Sequence, residues 1–235
     1  MKLLGKAWRL AVRALLILLA VLCVVQIWYF AHVLYWWTGQ NPTRTAFMAA
    51  RLEGLQQKEP KAQLRHRWVD YSRISANLKR AVIVAEDAKF PDHEGFDWEG
   101  IQKAMEKNQR RGKVVAGGST ITQQLAKNLF LSGDRSILRK GQEAVITAML
   151  ELVMDKRRIL EIYLNVVEWG DGVFGAEAAA QHYFGISAAT LNAEQAARLA
   201  AMLPRPRFYD RNRQSAFLAS HTETVLARMP QAQVP

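Results

Sequence analysis

The sequence predicts a mainly α-helical protein in which one membrane-spanning helix precedes a single globular domain. Three observations support this fold class. Residues 14–37 contain no Asp, Glu, Lys or Arg. The apolar residues that follow recur mostly at the 3.6-residue spacing of helices. The chain has 235 residues and is 50% hydrophobic, which suits one anchor and one core of ordinary size, and we expect no second catalytic domain.

The N-terminal apolar run is long enough to cross a bilayer. As a helix, residues 14–37 extend roughly 36 Å at about 1.5 Å per residue, against a hydrocarbon core of about 30 Å. Lys2, Lys6, Arg9 and Arg13 precede the run without any acid, so the positive-inside rule places residues 1–13 in the cytoplasm and the rest outside. A cleaved signal peptide is the alternative. The run is longer than a signal peptide's apolar region and ends in aromatic residues, which favours a retained single-pass anchor.

The cysteine content and the net charge of the sequence limit which bonds, metal sites and binding partners the outer domain can have. Cys23, the only cysteine, lies within the anchor, so the outer domain can hold neither a disulfide nor a cysteine-based metal site. When the four cations before the anchor are left out, the chain still has seven more basic than acidic residues. This positive charge suits binding to an anionic surface. No zinc-finger, basic-zipper or RNA-recognition signature is present. A membrane surface or an anionic lipid head group is therefore favoured over nucleic acid.

The outer part is predicted to begin with a linker at residues 38–63, followed by one domain at residues 64–235. A short strand is expected at Trp68–Tyr71. Ser75, Asp97 and either Ser119 or Thr120 can accept hydrogen bonds at helix starts. Helices are predicted at residues 44–57, 76–86, 98–107, 120–128, 137–154, 156–169, 176–183 and 192–202.

The connections between these helices are predicted from their turn residues and charges. Residues 108–113 are expected to form a basic loop, residues 132–134 a break and residues 170–175 a second loop. Pro204 and Pro206 are expected to close the core.

The stretch from Glu86 to Glu143 concentrates groups that can do chemistry. Its two carboxylates suit acid/base work on a sugar bond. Three spaced cations, Lys127, Arg135 and Lys140, indicate that one substrate is strongly anionic. Together they point to a phosphorylated sugar. ATP is disfavoured as the substrate, because the stretch lacks the Gly-Lys-Ser/Thr spacing of a Walker loop.

Each of these groups also has a structural interpretation that the sequence leaves open. Glu86 or Asp87 could cap a helix or pair with Lys89. The Gly-Gly-Ser-Thr turn at residues 117–120 could present N–H groups to a phosphate, although plain helix capping is the commoner use of such a turn. Lys140 and Glu143 share one helix face and could belong to a solvated charge cluster.

Four ordered motifs nevertheless resemble those of the peptidoglycan glycosyltransferases. They are Glu86-Asp87-x-x-Phe90-x-x-His93-x-Gly95, Gly117 to Asn128, Arg139-Lys140-x-x-Glu143 and Lys156-x-x-Ile159-Leu160-Glu161-x-Tyr163-Leu164-Asn165, with a fifth at Leu199 to Tyr209. The resemblance covers roughly residues 74–210. It implies a lysozyme-like helical domain that polymerises lipid II at the outer face of the cytoplasmic (inner) membrane and releases undecaprenyl pyrophosphate. The implied partners are lipid II, the growing glycan chain and the membrane, with cell-wall synthesis or division proteins as further candidates.

The resemblance also implies a catalytic pair and an anion site. Glu86 corresponds to the general base that deprotonates the 4-hydroxyl of the acceptor sugar. Glu143 corresponds to a second acid that either assists departure of the leaving group or organises the phosphate site. The cations that hold the donor pyrophosphate correspond to Lys127, Arg135 and Lys140.

Further residues of the resemblance are expected to line or support the cleft. Those that position sugar and phosphate correspond to Ser119, Gln123 and Gln124. Asp87 and His93 are expected to shape the loop that follows Glu86.

Two questions stay open at this point, the need for a metal ion and the class of function. A divalent cation could bridge the pyrophosphate to Asp87 or Glu143, although no residue cluster has the spacing of a metal site and no other cofactor is expected. The main rival function is a membrane-anchored lysozyme-like hydrolase that passes the sugar to water, and a non-catalytic assembly protein is a third class. No Ser-x-x-Lys or Lys-Thr-Gly motif is present, so a transpeptidase domain is not expected.

Overall fold

The computed structural model describes the backbone of residues 2–113, 117–131 and 136–235, with side chains from Lys6 onward. The chain forms two compact units, one up to Gln40 and one from Asn41 to Pro235. The helices are α1 (Lys2–Trp37), α2 (Ala46–Gln56), α3 (Ala76–Glu86), α4 (Trp98–Arg111), α5 (Ile121–Phe130), α6 (Ile137–Val153), α7 (Lys156–Val166), α8 (Ala176–Phe184), α9 (Ala193–Met202), α10 (Pro206–Arg211) and α11 (Ala216–Arg228). The strands are β1 (Arg65–His66), β2 (Glu168–Gly170) and β3 (Val173–Phe174). The predicted mainly α-helical fold class is confirmed.

The first unit is dominated by the long helix α1. Its apolar side chains from Leu15 to Leu22 are exposed. Within the described chain, α1 is the one helix that is long and apolar enough to span a membrane. The helix already begins at Lys2, so the basic residues before the apolar run continue the same helix. These features fit a single-pass membrane anchor.

The core of the second unit forms around two neighbouring groups of helices. In one group, α9 contacts both α3 and α11, and its Ala196, Ala197 and Ala200 are fully buried. Such small side chains allow neighbouring helices to approach closely. In the other group, α5 contacts α2, α6 and α7. The two groups place the end of α3 and one face of α5 in the same region of the domain.

Polar side chains begin three of the predicted helices as expected. Ser75 accepts a backbone N–H from the first turn of α3, and Asp97 does the same for α4. Thr120 caps α5 in a reciprocal capping box with Gln123. The sequence had left Ser119 and Thr120 as alternatives, and the structure selects Thr120.

A small sheet takes the place of the strand predicted at Trp68–Tyr71, and that prediction was wrong in position. The strand order is β1-β3-β2, with β1 parallel and β2 antiparallel to β3. At Val69 the backbone N–H and C=O both bond to the Asn165 side chain, each at 2.9 Å. Because this buried amide satisfies both backbone groups, the segment needs no neighbouring strand. The predicted loop at residues 170–175 contains β3, so it is only partly a loop.

Two predicted helix ends differ from the structure by three or four residues. α4 continues to Arg111, so most of the predicted basic loop at residues 108–113 is helical. It stops at Gly112, whose φ of 62° lies in the left-handed region that glycine adopts easily. α7 ends at Val166 and not at Trp169, because residues 168–170 pair as β2.

The C-terminal part contains two helices that the sequence prediction missed. Pro204 and Pro206 do not close the core, because Pro206 begins α10 and α11 follows. α11 contacts α9 and buries Leu218 and Val225. The break predicted at residues 132–134 lies outside the described residues.

Candidate active site

Glu86 is the last residue of α3, at the end of a helix whose apolar face is buried. Its side chain is partly buried and lines a cavity of about 260 Å³. The end of α3, the first turn of α4 and residues 117–120 form the cavity walls, and Arg228 also contributes. A carboxyl group therefore lies at a cavity that a polar ligand can enter.

The environment of Glu86 favours its protonated form relative to an exposed glutamate. Burial raises the pKa of this carboxyl above its ordinary value of 4.5, and the neighbouring Asp87 adds to the rise. A hydrogen bond from Gln124 and the charge of Lys127 act in the opposite direction. A carboxylate whose pKa is raised toward neutral pH is a better general base than an exposed one.

The Gln124 amide connects Glu86 to a buried tyrosine. Its Nε2 donates to Glu86 Oε2 at 2.7 Å. Its Oε1 accepts from the Tyr163 hydroxyl at 3.0 Å. Tyr163 is fully buried, and this burial raises its pKa well above 10.0, so its hydroxyl remains a neutral donor. Helices α3, α5 and α7 thus each supply one member of a hydrogen-bonded chain that ends on Glu86.

Asp87 joins the loop after α3 to the start of α5. Its carboxylate accepts from the backbone N–H of Ile121 at 2.9 Å. It also accepts from His93 Nε2, with the nearer oxygen at 2.9 Å. Asp87 is 7% exposed, so these contacts are well shielded from water. The loop that carries Asp87 and the helix that carries Gln124 are held together at this point.

The N–H groups at the start of α5 are used within the protein. Thr120 N–H donates to Gln123 Oε1 at 3.0 Å, and Gln123 N–H donates to Thr120 Oγ1 at 3.2 Å. Ile121 N–H donates to Asp87. Of the two interpretations of the Gly-Gly-Ser-Thr turn, the structure therefore supports helix capping and not phosphate binding by these N–H groups.

Lys127 lies one turn after Gln124 on α5. Its ammonium group lies 5.9 Å from the centre of the Phe47 ring. Within the described chain, this ammonium has no hydrogen bond and no ion pair. Burial lowers its pKa below 10.5, while the charges of Glu143 and Glu86 oppose that change. A partly buried cation without a partner is ready to receive an anion.

Glu143 on α6 holds two further cations together. Its carboxylate is 3% exposed and pairs with Arg139 at 3.0 Å and with Lys140 at the other oxygen. Lys140 Nζ also lies 3.4 Å from Ser119 Oγ. The solvated cluster considered from the sequence is therefore only partly solvated, because its carboxylate is buried.

Comparison with known proteins agrees with this geometry. A sequence model of the transglycosylase family matches residues 53–230. Proteins named biosynthetic peptidoglycan transglycosylase are 62% identical in Janthinobacterium sp. (strain Marseille) and 62% identical in Herminiimonas arsenicoxydans. Another in Dechloromonas aromatica is 61% identical. In all three cases the alignment covers 100% of both chains.

The chain belongs to the peptidoglycan transglycosylase family. The resemblance noted in its motifs is thereby confirmed, as is the enzyme class, a glycosyltransferase. The helical domain also agrees with the lysozyme-like fold expected for this family.

Two groups of predicted site residues come together in this transglycosylase. The first contains Glu86 and Gln124. The second contains Glu143, Lys140 and Ser119. The charge of Lys127 interacts with those of both Glu86 and Glu143, which links the two groups. Asp87 and His93 contact each other behind Glu86.

Gln123 is a predicted site residue that does not join these groups in the structure. Gln123 is 4% exposed, and its amide oxygen completes the cap of α5. Its position thus does not support the expectation that it contacts substrate, and the capping sequence Thr120-x-x-Gln123 was a signal for this outcome. Arg135 lies outside the described residues.

The sequence prediction missed two contacts near the site. Tyr163 was part of a quoted motif but was not assigned to the site. Glu151 was also unassigned, and it accepts from Thr122 at 2.5 Å and pairs with Lys156 at 2.7 Å. Lys89, considered as a partner of Glu86, pairs with Glu99 instead.

The carboxylates considered as metal ligands already have protein partners. Asp87 accepts from His93 and Ile121, while Glu143 pairs with two cations. In the described ranges there is no group of three or more His, Cys, Asp or Glu side chains that could hold a metal ion.

Proposed function

We propose that this transglycosylase polymerises lipid II into linear β-1,4 glycan strands. The growing lipid-pyrophosphate-linked chain is transferred onto the 4-hydroxyl of an incoming lipid II, and undecaprenyl pyrophosphate is released. The observation that carries the proposal is the arrangement around Lys127. This partly buried cation has no partner among the described residues, and its charge interacts both with Glu86, a carboxylate with a raised pKa, and with the ion-paired group on α6. Acid/base chemistry and an anion site are therefore adjacent.

Glu86 acts in this proposal as the general base. It removes the proton from the acceptor's 4-hydroxyl, and the resulting oxygen attacks C1 of the donor sugar. The bond from C1 to the pyrophosphate oxygen breaks, and its electron pair leaves with the pyrophosphate. The attack inverts the α-linked pyrophosphate to a β-1,4 bond. The raised pKa of Glu86 supports this role, because the carboxylate is basic enough to share the proton in the transition state.

Lys127 and Lys140 receive the donor pyrophosphate, together with Arg135 as the family resemblance implies. Negative charge builds up on the leaving group as its bond to C1 breaks. Cations at this position stabilise the transition state more than the ground state. Lys127 has no hydrogen bond or ion pair with any residue that the structure describes, which supports this role, since no such ion pair has to be broken before the phosphate binds.

Glu143 organises the phosphate site in this proposal. The sequence had left a choice between this role and direct assistance to the leaving group. Both of its oxygens face cations, Arg139 and Lys140. A carboxylate in this arrangement orients the two cations, and both of its oxygens are already engaged in ion pairs. The geometry therefore favours the organising role.

A divalent cation is not needed in this proposal, because cations of the chain face the phosphate. The sequence had allowed a bridging ion at Asp87 or Glu143, and the existing partners of both carboxylates weigh against those ligands. Polymerisation in excess EDTA tests the point. Activity lost with EDTA and restored by Mg²⁺ would show that the bridging ion is required.

We further propose that α1 holds the enzyme in the cytoplasmic membrane, with the catalytic domain at residues 64–235 on the periplasmic side. Residues 1–13 would be cytoplasmic, residues 14–37 the anchor and residues 38–63 a linker. The four cations at the start of α1 support this orientation. Lipid II, the growing glycan chain and the membrane are the proposed partners, with cell-wall synthesis or division proteins as additional candidates.

The full-length protein in detergent should convert labelled lipid II into long, muramidase-sensitive chains. Glu86→Gln should lower the rate by about 100-fold to 10,000-fold, the usual contribution of general base catalysis. Glu59→Gln is the matched control, because Glu59 is exposed and lies outside the site. Cleavage of preformed glycan without polymer formation would instead support the hydrolase alternative. Full turnover by Glu86→Gln would remove Glu86 from the role of base.

A further inference from the structure

The hydrogen-bonded chain behind Glu86 contains a residue to which the catalytic proposal gives no role. Tyr163 on α7 is fully buried, and its hydroxyl donates to Gln124 Oε1 at 3.0 Å. The Nε2 atom of the same amide donates to Glu86 Oε2 at 2.7 Å. Each member bonds to the next, and the chain ends at the proposed base.

We propose that Tyr163 is a positioning residue that fixes the Gln124 amide with its NH₂ group toward Glu86. This inference rests on the proposed role of Glu86 as the general base. Tyr163 does not touch substrate in this proposal. It acts only through Gln124.

The physical reason is the two-ended character of an amide. A glutamine side chain has a donor end and an acceptor end of nearly the same shape, so it can present either end to a neighbour. Facing Glu86, the NH₂ end stabilises the carboxylate, whereas the oxygen end stabilises the protonated acid. The Tyr163 hydroxyl distinguishes the two orientations because its proton needs an acceptor. In the observed orientation Gln124 Oε1 is that acceptor, and after a flip the buried O–H would lose it.

Tyr163 also strengthens the bond that Gln124 makes to the carboxylate. The O–H and N–H dipoles of the chain both point toward the negative charge of Glu86. Hydrogen bonds aligned in this way polarise one another, and bonds to an ionised acceptor are stronger than bonds between neutral groups. The chain therefore stabilises ionised Glu86 more than protonated Glu86. It offsets part of the effect of burial, which raises the pKa of Glu86.

We expect the other charged groups near Glu86 to stay in place when Tyr163 is altered. The Asp87 charge raises its pKa and the Lys127 charge lowers it. The charged side chains on other walls of the same cavity are Lys89, Asp97 and Arg228. None of these forms a hydrogen bond with Tyr163, so a change at the tyrosine hydroxyl leaves them as a constant background.

The test is the pH dependence of kcat/KM for lipid II polymerisation by the full-length protein in detergent. Tyr163→Phe removes only the hydroxyl. We expect the acid limb of the profile to move to higher pH by about half to one unit, from the difference between charge-assisted and neutral hydrogen bonds. At a pH on that limb, the rate should fall roughly threefold to tenfold, while the alkaline plateau changes less.

Two further variants separate positioning from general loosening of the fold. Tyr183→Phe is the matched control, because the Tyr183 hydroxyl also donates an internal bond, to Trp169 O at 2.9 Å, but lies outside the site. Its acid limb should match that of the wild type. In a Gln124→Ala background, Tyr163→Phe should cause no additional shift, because the link to Glu86 is already missing.

An unchanged acid limb in Tyr163→Phe would overturn the inference, as would a shift that persists without Gln124 or an equal shift in Tyr183→Phe. If Tyr163→Phe does not fold, 3-fluorotyrosine at position 163 replaces it. This analogue is a stronger donor, so it should move the limb to lower pH, and no movement would count against the inference. Full activity of Glu86→Gln is a separate result, since it would remove the proposed base itself.

Discussion

Asp87 offers a sharp test of how the active-site loop is held, because one buried carboxylate has two structural partners. Asp87→Ala removes the acceptor for Ile121 N–H at 2.9 Å and for His93 Nε2 at 2.9 Å. Two hydrogen bonds to a charged group are together worth about 3–6 kcal/mol. Removing a buried carboxylate also relieves its desolvation cost. We therefore expect a net loss of about 2–4 kcal/mol, a large part of the total stability of about 5–15 kcal/mol typical of a protein.

The measurement is thermal unfolding of the full-length protein in detergent. For a domain of this size, about 1 kcal/mol corresponds to a change of roughly 2–4 °C in Tm, so Tm should fall by roughly 4–16 °C. Asp92→Ala is the matched control, because Asp92 is exposed in the same loop and its variant should unfold within about 2 °C of the wild type. Equal Tm values for the two variants would refute the reasoning that Asp87 holds the loop to α5. Polymerisation by Asp87→Ala should fall as well, since α5 carries Gln124 and Lys127.

Three further outcomes follow from the geometry of the site. Burial raises the pKa of Glu86 in the folded state. As pH rises, the unfolded state therefore loses this proton first, and the stability of the wild type falls between pH 4.5 and the raised pKa. Glu86→Gln does not titrate, so its Tm advantage over the wild type should grow between about pH 4 and about pH 8, and a constant difference would contradict this account. Lys127→Met should lower the polymerisation rate by about 100-fold or more, and its Tm should stay the same or rise, because a partly buried ammonium is removed. Lys58→Met, at an exposed position, is the control. A normal rate in Lys127→Met would exclude the phosphate role. Gly95→Ala should cost about 2–4 kcal/mol in thermal unfolding, because φ is +84° and the added Cβ would lie 2.7 Å from Thr147 Cγ2. Gly141→Ala, where nothing lies within 4 Å, should instead be neutral or stabilising by up to about 1 kcal/mol, and similar losses at both glycines would argue against strain at residue 95.

Local signals in the sequence were sufficient for much of the fold. Ser75 and Asp97 begin helices as predicted, and Thr120 was one of two predicted candidates, because an N-cap acts only on the residues that follow it. The strand expected at Trp68–Tyr71 failed for the opposite reason. Its backbone partner is the side chain of Asn165, far along the chain, and no local pattern reveals such a contact.

In the candidate site too, contacts within one helix could be predicted from the sequence, whereas contacts between helices could not. The Arg139, Lys140 and Glu143 cluster could be predicted, since three- and four-residue spacings on one helix bring side chains together. The neighbouring amides Gln123 and Gln124 could not be separated by the resemblance, which treated them alike. A step of one residue turns a side chain by about 100° around the helix, which places one in the cap and the other against Glu86. The contact from Tyr163 to Gln124 joins two helices and was out of reach of spacing rules.

The ten-residue helix α5 carries both the amide that contacts Glu86 and the cation Lys127. Lys127 lies three positions after Gln124, a rise of about 4.5 Å along a rigid axis. This fixed interval makes α5 intolerant of changes in chain length. Inserting or deleting one residue between positions 124 and 127 would swing the ammonium by about 100° and shift it by about 1.5 Å. A tilt of the whole helix would preserve the interval, so the enzyme can absorb substitutions around α5 more readily than any indel within it.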